Sequence, residues 1–231
     1  RGLGDVYKRQ MSAHRFEDER FLRGKGRYVA DINRENQLYA KIVRSIHGHA
    51  KIINIDISDA LTVDGVCGIY LEDDLAKDGV GPLPCTTKFV AEQPLVVAER
   101  YALARDKVRY VGDPVALVLA ETEMAAQEAA ELVLVDYEAL PVLVNPVNSM
   151  QDGSPLIWSN APKNIAYRFK KGDKESIAAA FDAAAHIVEL DLENNRVMAL
   201  PIEPRAGIGE YDPENDVMRL ICTAQGVHAI R

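Results

Sequence analysis

Cysteine is scarce in this chain, and its three positions, Cys67, Cys85 and Cys222, lie far apart in 231 residues. With no Cys-x-x-Cys pair, neither an iron–sulfur cluster nor a structural zinc site is written into the chain. Reduced, buried cysteines in a cytosolic protein are the expectation. Long apolar runs are missing as well: none approaches the ~20 residues needed to cross a bilayer core of about 30 Å. Basic residues are outnumbered, 27 Lys and Arg against 35 Asp and Glu, which leaves a net charge of −8. That balance argues against a nucleic-acid backbone as partner and fits a solvated surface that keeps a protein soluble. No Gly-x-Ser-x-Gly elbow, Walker loop or His-Glu-x-x-His helix occurs. Residues 1–10 (RGLGDVYKRQ) have neither the apolar core nor the small-residue cleavage site of a secretory signal. Met11 reads as a natural start and the ten residues before it as a non-native leader.

The stretch that organises the rest is 108–144, which reads as strand, helix, strand. The apolar run at 115–120 (VALVLA) suits a buried strand. Thr122 can accept a backbone N–H and start a helix, and Glu121 and Glu123 suit its positive end. Ala125, Ala129 and Leu132 then share one face. A second strand is expected over 134–137, and Pro141 ends the unit. Such a piece is a packing core and names no chemistry.

The flanking chain follows the same reading. Residues 15–31 are charged, and Gly24 and Gly26 are taken as turn residues before a strand, not a phosphate loop. Strands are expected at 37–45 and 50–57, the latter with Ile53, Ile55 and Ile57 on one face. His47 and His49 would share a face of an extended segment, but no third metal ligand stands near them, so they are read as polar residues at a strand end. Ser58 can cap a short helix, Asp64-Gly65 can turn, and strands are expected at 66–71 and 95–98 around a long loop at 76–94. Residues 145–164 hold the only tryptophan, Trp158, in a Pro-, Asn- and Ser-rich stretch taken as a domain boundary. Beyond it, Asp173 should cap a helix with an apolar stripe of Ile177, Ala180, Phe181 and Ala184. Strands are expected at 187–193 and 218–222. The second has no visible partner, so the fold reads as cut off in mid-domain.

A set of short motifs adds a resemblance. They run from Arg15-Phe16-Glu17-Asp18 through Gly24-Lys25-Gly26-Arg27-Tyr28 to Asp31, then Val43-Arg44-Ser45 with His49-Ala50-Lys51-Ile52. Val111-Gly112-Asp113-Pro114-Val115-Ala116 follows, then Ala129 to Val133 with Val135-Asp136-Tyr137-Glu138 and Leu140-Pro141. Asn195-Arg196, Pro201-Ile202-Glu203-Pro204-Arg205, and Thr223-Ala224-Gln225 with His228 complete the series. In this order the chain resembles the N-terminal part of the molybdenum-cofactor-binding large subunit of the xanthine dehydrogenase and aldehyde oxidase family, which includes aerobic carbon monoxide dehydrogenase.

The resemblance implies an α+β fold. Residues 1–23 would be leader and N-terminal segment, 24–145 an a/b hammerhead domain, 146–163 a linker, and 164–231 the truncated start of a molybdenum-cofactor-binding domain. It implies oxidative hydroxylation of an aldehyde, an N-heterocycle or carbon monoxide. The cofactor would be molybdenum–molybdopterin, in its cytosine dinucleotide form. Electrons would leave through [2Fe-2S] and FAD carried by partner subunits, in a cytoplasmic dimer of heterotrimers. Gln225 matches the glutamine that hydrogen-bonds an oxo ligand of the molybdenum in relatives. A neutral amide can do this without the cost of burying a charge. Glu203 and Arg205 match a segment near the active site; an ion pair or turn brace is their plainer reading. Gly112 and Pro114 are read as turn residues. No metal ligand and no catalytic base are expected within the chain, since the family's general-base glutamate lies in a later Gly-x-Gly-Glu segment. The piece alone should be inactive. The alternative is a non-catalytic binding or assembly module with the hammerhead fold.

Overall fold

The computed structural model describes residues 15–85, 95–195, 197–201, 203–224, 226 and 228. They form eight strands and five α-helices. Helix α1 (Asp18–Leu22) is followed by β1 (Tyr39–Arg44), β2 (Ala50–Asp56), β3 (Val66–Tyr70) and α2 (Glu72–Lys77). Next come β4 (Lys107–Val108), β5 (Pro114–Ala120), α3 (Glu123–Leu132), β6 (Leu134–Ala139) and α4 (Pro146–Ser149). Helix α5 (Lys174–Asp182), β7 (Gly207–Asp212) and β8 (Val217–Cys222) complete the order. The chain divides into two compact units, Asn36–Glu189 and a second made of Arg1–Glu35 with Leu190–Arg231.

In the unit Asn36–Glu189 the expected strand, helix, strand is present, but its two strands join different sheets. β5 is the middle strand of an antiparallel sheet ordered β1-β5-β3, whereas β6 edges a second antiparallel sheet ordered β4-β2-β6. Helix α3 starts where Thr122 accepts the Ala125 N–H at 3.1 Å. Ala125, Ala126 and Ala129 are its buried residues, while Leu132, expected on that face, is 38% exposed. Small side chains let the helix lie close on the sheet: Ala129 and Val133 pack with Ala116 and Val118 of β5 and Ile69 of β3. Ile55 and Val135 of the other sheet pack against the same cluster, so one core serves both sheets.

Several local expectations are corrected, beginning with the cysteines, which are not buried: Cys67 and Cys85 are exposed and Cys222 is half-buried. In β2 the register shifts between Ile52 and Asn54, so strict alternation fails. Ile52 and Ile55 face the core and Ile53 is 60% exposed; a bulge moves side chains across the sheet face by one position. Ser58 caps nothing: its N–H and hydroxyl turn back onto Asp56, and Asp59 precedes the short 3-10 turn Ala60–Thr62. The stretch expected as loop from residue 76 begins inside α2, and residues 95–98 are irregular, not a strand. Asp173 does cap α5, accepting from the backbone of Glu175 and Ser176 at 3.1 Å each. Its apolar stripe stays uncovered, with Ile177 and Phe181 more than half exposed. Residues 187–193, expected as a strand, join no ladder among the described residues.

The last expected strand has a partner after all. β8 pairs antiparallel with β7 from Gly207↔Cys222 to Asp212↔Val217. β7 escapes a reading by periodicity because two of its six residues are glycine and its apolar positions are few. Its turn is closed by Asp212, which accepts from the backbone of Glu214 and Asn215.

Candidate functional site

Strand pairing between β7 and β8 decides where the two late motifs meet. Because Gly207 faces Cys222, the chain just before β7 and the chain just after β8 run side by side. The first carries Glu203 and Arg205, and the second carries Thr223. The Thr223 hydroxyl donates to Glu203 Oε1 at 3.1 Å, joining motifs twenty positions apart. Gln225 lies outside the described residues. Among the described residues Glu203 and Arg205 form no ion pair with each other, so the bracing partner of Glu203 is Thr223 and not its near neighbour.

No group of three or more His, Cys, Asp and Glu able to hold a metal occurs among the described residues. At the hairpin base the Thr223 hydroxyl donates and the Glu203 carboxylate accepts, a hydrogen-bonding pair and not a set of metal ligands, which fits a cofactor that carries its own metal ligands.

The motifs at 43–52, 111–116 and 135–141 converge on a junction inside the unit Asn36–Glu189. Ser45 N–H donates to the Asp113 carbonyl at 2.9 Å, and Gly112 N–H donates to the Ser45 carbonyl at 2.7 Å. Gly112 has φ +91°, which favours glycine at this turn. Asp113 accepts the Arg109 N–H at 2.9 Å. His49 Nδ1 sits 2.9 Å from the Pro141 carbonyl, so Nδ1 carries the donated proton. Nε2 of His49 is buried without a hydrogen-bond partner. His47 packs its ring on Tyr137 at 4.8 Å between centroids, and burial pushes the Tyr137 hydroxyl above its ordinary range. These motifs therefore hold β1, β2, β5 and β6 together. Neither histidine belongs to a metal site among the described residues.

Comparison with known proteins supplies the identity of this arrangement. The family model "Aldehyde oxidase and xanthine dehydrogenase, a/b hammerhead domain" matches residues 23–141, more than half of the chain. The chain belongs to the aldehyde oxidase and xanthine dehydrogenase family. The model "Molybdopterin cofactor-binding domain" matches residues 157–231 of this family member. Its fold is accordingly α+β, a hammerhead followed by the start of a cofactor-binding domain. Among relatives, the nicotine 6-hydroxylase large subunit of Paenarthrobacter nicotinovorans is 36% identical, covering 94% of this chain and 26% of the relative. The carbon monoxide dehydrogenase large chain of Afipia carboxidovorans is 34% identical, over 94% of this chain and 27% of the relative. The crystal structure of a Cu,Mo-CO dehydrogenase superposes with a TM-score of 0.79 at 31% identity, covering 94% of this chain and 28% of that one. Quinoline 2-oxidoreductase from Pseudomonas putida 86 superposes at 0.80 with 28% identity, covering 93% and 27%. The chain thus spans about a quarter of the length of the relatives it matches.

Proposed function

We propose that this chain is the N-terminal part of the cofactor-binding large subunit of a molybdenum hydroxylase acting on an aldehyde, an N-heterocycle or carbon monoxide. Residues 24–145 would be the hammerhead, 146–163 the connection and 164–231 the opening of the cofactor-binding domain. The observation that carries this reading is the hydrogen bond from Thr223 to Glu203, which joins two family motifs at the base of β7–β8. When bound, molybdenum–molybdopterin would supply the redox chemistry. The chain's part is positioning. Antiparallel pairing holds Thr223 beside Glu203, and Gln225, two residues further along the sequence, would offer its amide N–H as a donor to the cofactor. A donor from a short segment anchored at a strand end is held better than one on a free loop.

A cytosine dinucleotide form of the cofactor, [2Fe-2S] and FAD on partner subunits, a dimer of heterotrimers and a cytoplasmic location complete the proposal. A relative named as subunit gamma of the 6-hydroxypseudooxynicotine dehydrogenase complex supports the coarser point that partner subunits exist. No described helix is long and apolar enough to cross a membrane. The test is Gln225→Ala in the full-length, cofactor-loaded subunit. Turnover should fall roughly 10- to 100-fold, the range for groups that orient a metal centre from outside its ligand set. Circular dichroism should not change. Unaltered kinetics, or a full-length subunit that carries no molybdenum by elemental analysis, would overturn the reading.

A further inference from the structure

A cleft of about 820 Å³ opens on the unit Asn36–Glu189 between the chain around residues 99–113 and the chain at 157–160. Its walls are tied by arginines laid on aromatic rings. The Arg109 guanidinium lies 3.8 Å from the Trp158 ring centroid, and its Nε and Nη1 donate to the carbonyls of Ile157 and Lys107. Arg105 lies 4.3 Å from the Tyr101 centroid and forks onto buried Glu72 with two bonds of 2.8 Å. The carboxylates that line the cleft are likewise committed. Asp113 accepts the Arg109 N–H, Glu99 accepts the Tyr101 hydroxyl, and Asp106 lies 3.8 Å from Arg109.

Two cations remain after this accounting. Among the described residues neither Arg100 nor Lys107 has a carboxylate partner, and Arg100 sits 6.0 Å over the Tyr110 ring. Arg100 also hydrogen-bonds the Tyr110 side chain, so what marks the cleft, in a chain of net charge −8, is two cations that have no carboxylate partner among the described residues, and these call for an anionic ligand. The volume falls in the range of small-molecule sites, roughly 300–1,000 Å³. A guanidinium fork suits a planar carboxylate, and the aromatic residues that line the cleft suit a flat partner. A phosphate would use the two cations but leave the rings idle, so a carboxylate on an aromatic ring fits more of the lining.

We propose that the cleft binds a small aryl carboxylate, with Arg100 and Lys107 holding its charge and Tyr101, Tyr110 and Trp158 its ring. The site uses neither the late motifs nor a cofactor, so it stands or falls separately from the proposed hydroxylase role.

Isothermal titration calorimetry of the full-length subunit with benzoate should show saturable binding. Half-saturation should fall near about 1 mM, as expected for a few contacts in an open site. It should weaken at least about fivefold in Arg100→Gln and in Lys107→Met, a loss expected for one charge-assisted contact. Arg100 is exposed, so its variant should keep the wild-type circular dichroism spectrum, and equilibrium dialysis with labelled benzoate gives a second readout for Lys107→Met. Benzyl alcohol should bind much more weakly than benzoate, and so should inorganic phosphate. Equal binding of benzyl alcohol, tighter binding of phosphate, no saturation with benzoate, or unchanged affinity in both variants would each overturn the proposal.

Discussion

Two antiparallel ladders in this protein end in opposite states. β5 lies between β1 and β3 beneath α3, and Val115, Ala116, Val118 and Ala120 have no exposed surface. β7 and β8 have only each other, and among the described residues of 190–231 none is buried. Met218 and Leu220 remain 75% and 60% exposed although they sit in a regular ladder. Backbone pairing makes a strand in both places. Burial of its side chains needs a second layer, and a lone two-stranded hairpin does not provide one. The motifs follow this division: the early ones stabilise a packed junction, whereas the late ones sit at the foot of an open hairpin.

A charge placed in each ladder separates them most sharply. Val118→Asp leaves a carboxylate in a fully buried position with no cation to pair, at a cost of several kcal/mol. Chemical denaturation should then show no cooperative transition. The same change at Leu220 should shift stability by less than about 0.5 kcal/mol. Equal losses at both sites would erase the distinction.

A smaller effect sharpens the buried side. Thr122→Ala removes the cap that starts α3 over the core and should lower stability by about 1 kcal/mol, read from the denaturation midpoint at constant slope. An unchanged midpoint would mean that packing of Ala125 and Ala129 holds the helix start without the cap.

The mildest probe is acid, applied to one turn from each region. Hydrogen bonding holds two carboxyls below the ordinary 3.8, Asp212 chiefly through the Asn215 side chain and Asp56 chiefly through the Ser58 hydroxyl. A carboxyl depressed on folding contributes stability above its unfolded value, and the contribution is lost as pH falls through its folded value. Both turns should therefore hold down to about pH 4 and loosen below it. In an NMR titration the amides of Glu214, Asn215 and Ser58 should move only in that acid window. Movement centred above 3.8 would contradict both turns.

Much of this was legible in the chain itself. Thr122 and Asp173 act as caps because a short oxygen-bearing side chain before an apolar run leaves few other structures open. The apolar run that became β5 is buried for the same kind of reason. What escaped was non-local. Nothing near Ile53 signals that a bulge turns it outward, and nothing near β5 says that β6 joins another sheet. β7 was hidden by its glycines until β8 was seen beside it. At the candidate site, motif order pointed to Glu203, Arg205 and Gln225. Their plainest local reading was an ion pair or a turn brace, and neither names Thr223, which Glu203 meets across the hairpin. The cleft at Trp158 was missed altogether, since its arginines and rings gather from separate stretches of chain.

By itself the sequence determined the short-range features: which segments are apolar, where helices start, where glycine must turn, and that the late motifs occur in family order. These depend on neighbours a few bonds away. Only the tertiary structure decided which strands share a sheet, which apolar faces are covered, and which distant polar groups meet. Those outcomes depend on contacts between residues far apart in the chain, and a hydrogen bond such as Thr223 to Glu203 exists only once β7 and β8 have paired.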